Sequence, residues 1–300
     1  MNALLYALVV VIWGTTWIAI VLQQGVVPAT VSIFWRFALS AIILLGLLTV
    51  TRRLQRLTPR DHLFCLAQGA CVFGFNYYCF YHATSFISSG LESVIFSMAI
   101  LFNALNGWLW FRTVPAPRFY LAAVLGIIGI CTLFWRDLHA AHSAELLTGV
   151  GLSLLGTWGF SLGNMISTRH QRRGLDTFST NGWAMSYGAL IMGLVSLAHG
   201  DSFRMDFSLR YLGSLGYLTL FGSIIAFGAY FTLVKRIGAG PAAYSTLLFP
   251  LVALGISTVY EGYEWTPNAL AGLALILGGN LVMFIRLPQR VWRRRPQNAA

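Results

Sequence analysis

Residues 80–93 read FYHATSFISSGLES, and residues 230–243 read YFTLVKRIGAGPAA. In each, an aromatic apolar run meets a short turn, and a glycine opens the next run. Gly90 and Gly240 lie 150 positions apart, as do Gly129 and Gly279. At that offset Tyr78–Phe134 aligns without gaps to Gly228–Phe284. Earlier in the chain Trp13-Gly14 corresponds to Trp158-Gly159, and Trp35 to Trp183. The sequence therefore reads as a duplication, with a first half over 1–137, a second over 144–286 and a basic tail over 287–300.

Composition says what solvent such halves require. Of 300 residues 57% are hydrophobic and 10% charged, with mean hydropathy +0.70. A soluble domain carries about 25% charged residues, so this chain cannot cover its surface with water-compatible groups. Lipid is the expected solvent. The net charge of +11 does not point to nucleic acid, because the basic residues sit in short clusters between apolar runs. Cys65, Cys71, Cys79 and Cys131 all lie in apolar runs without metal-ligand spacing and read as buried packing residues. The first apolar run lacks a basic leader and a cleavage site, and is expected to be a retained helix.

Ten segments approach the roughly 20 apolar residues that cross a bilayer core. They are 3–22, 29–50, 62–82, 88–111, 116–135, 146–168, 178–198, 209–234, 240–260 and 267–286. Arg52, Arg53, Arg56, Arg60, Arg112, Arg118, Arg169, Arg172, Arg173, Lys235, Arg236 and the arginines after span 10 all fall in even-to-odd connections or the tail. The opposite side has few basic residues and carries Asp137, Glu145, Asp201, Asp206, Glu261 and Glu264. The positive-inside rule then puts both termini in the cytoplasm. Five spans per half make the halves inverted, and the loop charges agree. Connection 4–5 is basic while its counterpart 9–10 is acidic. The expected fold is an all-α integral membrane protein of ten transmembrane helices in two inverted repeats, a signature of alternating-access carriers.

Several motifs resemble the drug/metabolite transporter superfamily, specifically its EamA-type ten-helix members. They are Trp13-Gly14-Thr15-Thr16-Trp17, Trp35-Arg36-Phe37, Phe80-Tyr81-His82-Ala83 running into Ser88-Ser89-Gly90-Leu91-Glu92-Ser93, Lys235-Arg236-Ile237-Gly238-Ala239-Gly240, Phe249-Pro250-Leu251 and Glu261. The first half departs from the second at Ile100 against Pro250 and Phe111 against Glu261. Within that family the chain is most similar, by overall pattern and aromatic richness, to bacterial exporters of aromatic amino acids. The resemblance implies a secondary exporter of aromatic or hydrophobic amino acids in the bacterial cytoplasmic (inner) membrane, with small molecules and lipid as its partners. A broad drug or nucleotide-sugar carrier is the alternative within the superfamily. An intramembrane enzyme or a lipid-handling accessory protein is the alternative from another class.

Ionisable groups inside a membrane are costly and default to functional candidates. Arg36 and Glu92 each sit several residues into their spans from the outer face, roughly 7–11 Å deep at ~1.5 Å per residue. His82 ends span 3 near that level. Two readings stay open. Arg36 attracts a substrate carboxylate and Glu92 an ammonium, or the two pair and hold spans 2 and 4 together. Pairing is favoured because an isolated charge in lipid is expensive. Glu92, Phe96, Ala99, Asn103 and Asn106 form one stripe of span 4, and Thr157, Ser161, Asn164 and Thr168 form another on span 6. Each faces either protein or a cavity. Trp17, Tyr78, Trp158, Trp183 and Tyr244 are the candidate aromatic contacts for substrate. Gly90, Gly240 and Pro241 mark turns able to close opposite ends of a cavity, and Pro250 a hinge.

No P-loop, HExxH, dinucleotide fingerprint or Cys/His metal set occurs. ATP hydrolysis, metal catalysis and cofactors are not expected, nor a nucleophile–base pair that would make the chain an enzyme. Proton coupling would have to use Glu92 or His82, sodium ligands are not evident, and facilitated diffusion stays open, as does oligomeric state, a monomer included. If Glu92 contacts substrate, Glu92→Gln should impair transport more than membrane folding. Unchanged transport with lost thermal stability would mark a structural role instead.

Overall fold

The computed structural model describes residues 2–135, 143–238, 242 and 245–283, and within these every regular element is helical. The chain runs as α1 (Asn2–Val21), α2 (Ala29–Val50), α3 (Pro59–Ala83), α4 (Ser89–Phe111), α5 (Arg118–Leu133), α6 (Ser143–Arg172), α7 (Thr177–His199), α8 (Leu209–Ile237), α9 (Ser245–Tyr260) and α10 (Pro267–Val282). Gly240, Pro241, Tyr244 and the tail 287–300 lie outside the described residues.

This is the expected all-α membrane architecture. α1, α2, α3, α4, α6 and α8 are long and apolar enough to cross a bilayer. α5, α9 and α10 are apolar but have 16 residues each, about 24 Å of rise against a core of about 30 Å. Leu121, Val124, Ile127 and Ile128 of α5, and Leu190, Leu194 and Leu197 of α7, point outward where only lipid can cover them. Cys131 is exposed on the same outer surface, which corrects the expectation that all four cysteines are buried.

The helices start where the sequence supplies caps. The side chains of Thr58, Ser88, Asp176, Ser208 and Thr266 each accept a hydrogen bond from a first-turn backbone N–H. Pro59 and Pro267 occupy first-turn positions, where a missing N–H costs nothing.

Three helices are irregular. α3 widens into π-helical turns over Gly69–Phe75, and α8 over Leu218–Ile225. The two segments end 150 positions apart, at Phe75 and Ile225. α4 was expected to be continuous but breaks at Ser97–Met98 into Ser89–Phe96 and Ala99–Phe111. The hydroxyls of Ser93 and Ser97 bond back to the carbonyls of Gly90 and Val94, a local competition that weakens the ladder. The Asn280 amide of α10 donates to the Ser97 carbonyl and hydroxyl, at 3.1 and 3.0 Å. That bond satisfies the carbonyl the break sets free.

Packing follows a regular scheme. α5 packs on α10 and α2 on α7. α1 packs on α9 and α8, and α6 on α4 and α3. Glycines permit the closest approaches. A Cβ on Gly272 would lie 2.5 Å from the Leu133 backbone nitrogen and 2.7 Å from the Gly129 oxygen, and one on Gly129 would lie 2.6 Å from Ile276. Gly156, Gly159 and Gly163 of α6 likewise meet α3, whereas Gly151 faces open space. At the basic end, Asp61 of α3 accepts from Arg169 at 2.8 Å and Arg173 at 2.9 Å, and from Thr58. This buried carboxylate ties α3 to α6.

Because backbone atoms cannot step aside as a side chain can, Gly272→Ala is expected to destabilise the protein by about 1–3 kcal/mol. Gly278→Ala, with nothing within 4 Å of the added carbon, should stay within about 0.5 kcal/mol. Thermal unfolding of both variants in detergent checks the contrast.

Candidate functional site

Where α1, α3, α4, α6, α8 and α9 converge, the chain encloses a cavity of about 30 Å³. Its wall is almost wholly aromatic: Trp13 and Trp17 of α1, Tyr77 and Phe80 of α3, Phe96 of α4, Phe160 of α6, Phe227 of α8 and Phe249 of α9. Ring centroids lie 4.8 Å apart for Phe96–Phe160, 5.2 Å for Trp17–Phe80, 5.2 Å for Trp13–Phe227 and 5.0 Å for Trp13–Tyr230. Most of these pairs are edge-to-face or tilted, the geometries ring quadrupoles prefer. Thr16, Asn76 and the Tyr77 hydroxyl are the polar points. Asn76 donates to the Gly156 carbonyl at 2.8 Å, and the Trp13 indole to the Gly222 carbonyl at 3.4 Å. That space is too small for an amino acid, which enters only if rings move.

Of the sequence candidates, Trp17 lines this cavity. Tyr78 does not: its neighbour Tyr77 does, one helical step of about 100° away, while Tyr78 packs on His82 with centroids 4.2 Å apart. His82 bonds through Nδ1 to the Tyr78 carbonyl of its own helix. Trp158 is an exposed side chain on the outside of α6, and Phe160 takes the inward place. Trp183 sits at the basic end against His62, at 4.8 Å, in a separate open pocket with Leu54 and Arg56.

The two polar stripes face each other. Asn106 of α4 donates to Ser161 of α6 at 2.9 Å, and Asn164 donates to Asn103 at 3.2 Å. They form an interhelical zip beside the cavity. Gly90 lies against α9, where a Cβ would come within 2.7 Å of Ser257. The adjoining Ser89 gives its N–H (3.1 Å) and hydroxyl to the Glu261 carboxylate. A negative group at a helix N-terminus is the favourable arrangement. Pro250 is buried within α9, directly after Phe249.

The charges depart most from expectation. No ion pair joins Arg36 and Glu92 among the described residues. Arg36, 1% exposed, donates from Nε to Ser223 at 3.0 Å and from Nη2 to the Tyr77 hydroxyl at 3.2 Å. Its guanidinium lies 4.3 Å from the Tyr77 ring centroid, and Nη1 has no partner. Glu92 is fully buried, and neither carboxyl oxygen has a hydrogen-bond partner. The pair failed to form because Tyr77 and Ser223 supply neutral acceptors and a π face to the guanidinium, which satisfies most of it without a carboxylate.

Comparison with known proteins fits this geometry. The model of the EamA-like transporter family matches the chain twice, over residues 1–135 and 147–285. The chain belongs to the EamA-like transporter family. It is 27% identical to an uncharacterized transporter of Synechocystis over 89% of this chain and 84% of that protein. It is 24% identical to the protein PagO of Salmonella typhimurium over 95% and 93%. It is also 24% identical to a probable amino-acid metabolite efflux pump of Escherichia coli over 98% and 97%. A solved crystal structure shares the fold, with TM-score 0.67 and 16% identity over 94% of this chain and 96% of that one. As an EamA-family member this is a multi-pass membrane transporter of small molecules, and not an enzyme.

Sequence reasoning missed Tyr77, Asn76, Phe80, Phe160, Phe227 and Phe249 as wall residues, and kept Trp13 only as a motif residue. The signal available was Trp17 itself, because Thr16, Trp13 and Ile20 share its side of α1 at helical spacing. For the polar zip, a double-mutant cycle on Asn106→Ala and Ser161→Ala, read by thermal unfolding, is expected to return a coupling of about 0.5–1.5 kcal/mol. Purely additive losses would mean that the bond contributes nothing.

Proposed function

We propose that this EamA-family transporter exports aromatic and hydrophobic amino acids, and related amphipaths, by alternating access between two inverted five-helix halves at 1–137 and 144–286. The observation that carries the reading is Arg36. A guanidinium almost wholly removed from water, with no carboxylate partner among the described residues and a free Nη1, is a receptor for an anion. It stands directly behind Tyr77, whose ring is part of the aromatic cavity wall. A carboxylate on the guanidinium and an apolar side chain among the rings describe one ligand class. The relatives named as probable amino-acid metabolite efflux pumps support the same class.

The packing scheme supports the two-half reading. Exchanging α1–α5 for α6–α10 returns the same helix pairs: α5 with α10, α2 with α7, and α1 on α9 and α8 in place of α6 on α4 and α3. The paired π-helical segments in α3 and α8 agree. The one-sided basic connections favour cytoplasmic termini in a bacterial inner membrane. On this reading Gly90 with Glu261 closes the outer end of the cavity and Pro250 is a flexing point.

Proteoliposomes containing the purified protein provide the test, with labelled amino acids, purine nucleosides and cationic dyes as competing substrates. Arg36→Gln is expected to lower phenylalanine kcat/KM by about 10–100-fold, the loss of a charge-assisted bond of about 1.5–3 kcal/mol. The carboxylate-free methyl ester should be much less affected. An unchanged phenylalanine KM would remove Arg36 from the site. Transport of nucleosides or dyes, with no amino-acid flux, would overturn the reading itself.

A further inference from the structure

Two carboxylates among the described residues are buried from water, Asp61 and Glu92. Asp61 is held by two arginines and a threonine. Glu92 has no donor for either oxygen, so an ionised side chain there would leave all its acceptor sites unmet. Among the described residues no basic side chain pairs with it. α9, α6 and α1 pack on the half-helix that carries it. Beyond α9 stands Glu261, which interacts electrostatically with Glu92, as does Cys79 of α3. From α6 the nearest titratable residue along the chain is Glu145, one turn before the Gly149 that meets Phe86 and Ile87. α1 contributes no charged side chain. The two ionisable groups that interact with it, Glu261 and Cys79, both become anions.

We propose that Glu92 is a proton-binding site, and that the proton it takes up and releases operates the half-helix Ser89–Phe96 as a gate. The proposal rests on the transport reading above and assigns its coupling ion. A neutral carboxylic acid can remain in such a pocket, whereas a bare carboxylate must reach water. The half-helix is built to make that move. It is detached from the rest of α4 at Ser97–Met98, where Asn280 holds the pivot. Its first turn is latched to Glu261 through Ser89, and its last residue, Phe96, is part of the cavity wall. Carrying Glu92 toward water therefore strains the latch and withdraws a ring from the cavity in one motion.

The cycle balances as an exchange. With the inner end of the cavity open, Glu92, one turn from the cavity-lining Phe96, gives its proton to cytoplasmic water in the cavity as substrate enters, and becomes a carboxylate. The half-helix swings, the outer end opens and substrate leaves. A proton from external water then restores the acid and the latch. One proton enters for each substrate exported, and no other bond changes.

Two measurements test this, the first without any substrate. Infrared spectra of the full-length protein at neutral pH should contain the carbonyl stretch of a buried protonated carboxyl that exchanges slowly in heavy water and is absent from Glu92→Gln. A wild-type protein without that band, with Glu92 ionised, would overturn the proposal whatever the substrate proves to be. In proteoliposomes an imposed pH gradient should drive net wild-type flux, accompanied by proton movement in weakly buffered lumen. Glu92→Gln should lose the gradient-driven flux and the proton movement yet still exchange substrate for substrate. Flux indifferent to the pH gradient in the wild type would sink the idea. So would loss of substrate binding itself in Glu92→Gln, which would make Glu92 a substrate ligand. Absence of amino-acid flux in the wild type, with the infrared band present, would fail the substrate assignment and leave the proton site standing.

Discussion

From the second turn of α2, Arg36 reaches Ser223 of α8 and the Tyr77 hydroxyl of α3, and through those bonds one cation draws three helices around the cavity. A charge at such depth is costly unless its donors are used. The helices that serve it are therefore constrained in register as well as in distance. Tyr77 must present its ring to the guanidinium and still line the cavity. Ser223 must fall on the inner side of α8, and it does so within the π-helical stretch Leu218–Ile225. Phe37, next to Arg36 in sequence, packs on Tyr77 and Phe73 with centroids 4.9 and 5.0 Å apart, so the polar bond and the apolar packing fix the same contact.

The π-helical turns follow from this demand. A regular helix advances each side chain by about 100°, and a wider turn resets that phase. The resets in α3 and α8 come just before the residues that face the cavity, Asn76 and Tyr77 in one and Phe227 in the other. Gly69 and Gly222, within those segments, let neighbouring helices approach so closely that a Cβ would meet the Ala184 oxygen at 2.3 Å and Thr16 at 2.8 Å. Widened backbone, small residues and close contact occur together because each relieves the cost of the others.

The same resets explain where sequence reading stopped. The all-helical membrane class was legible because hydropathy survives any local irregularity. That the polar stripes of α4 and α6 turn away from lipid was legible too, but not that they face each other, because an amide in an apolar helix can satisfy itself on protein or on water. Depth along the span does not separate Tyr78 from Tyr77, and the reset that ends at Phe75 turns Tyr77 to the cavity. Trp158 was chosen by analogy with Trp13, yet it faces outward and Phe160 faces in. An aromatic ring suits lipid and core alike, so its identity does not reveal its direction. The Arg36–Glu92 pair was inferred from charge alone. Two groups at similar depth need not meet when tyrosine and serine can satisfy the cation first.

Cavity size and helix continuity are linked through two rings. Phe96 and Phe249 lie 5.7 Å apart and both pack on Trp17. Phe96 is the last residue before the break at Ser97–Met98, and Phe249 immediately precedes Pro250, whose missing N–H removes a bond from α9. The cavity walls that would have to part for an amino acid are thus attached to the two helices with interrupted hydrogen-bond ladders. The opposite wall, Trp13 with Phe227, is backed by the packed rings of Tyr230 and Phe73, and Tyr77 beside it is backed by Arg36. Close-packed interiors do not deform continuously, so opening must use the interrupted helices as hinges, with the Arg36 wall as the fixed side against which they move.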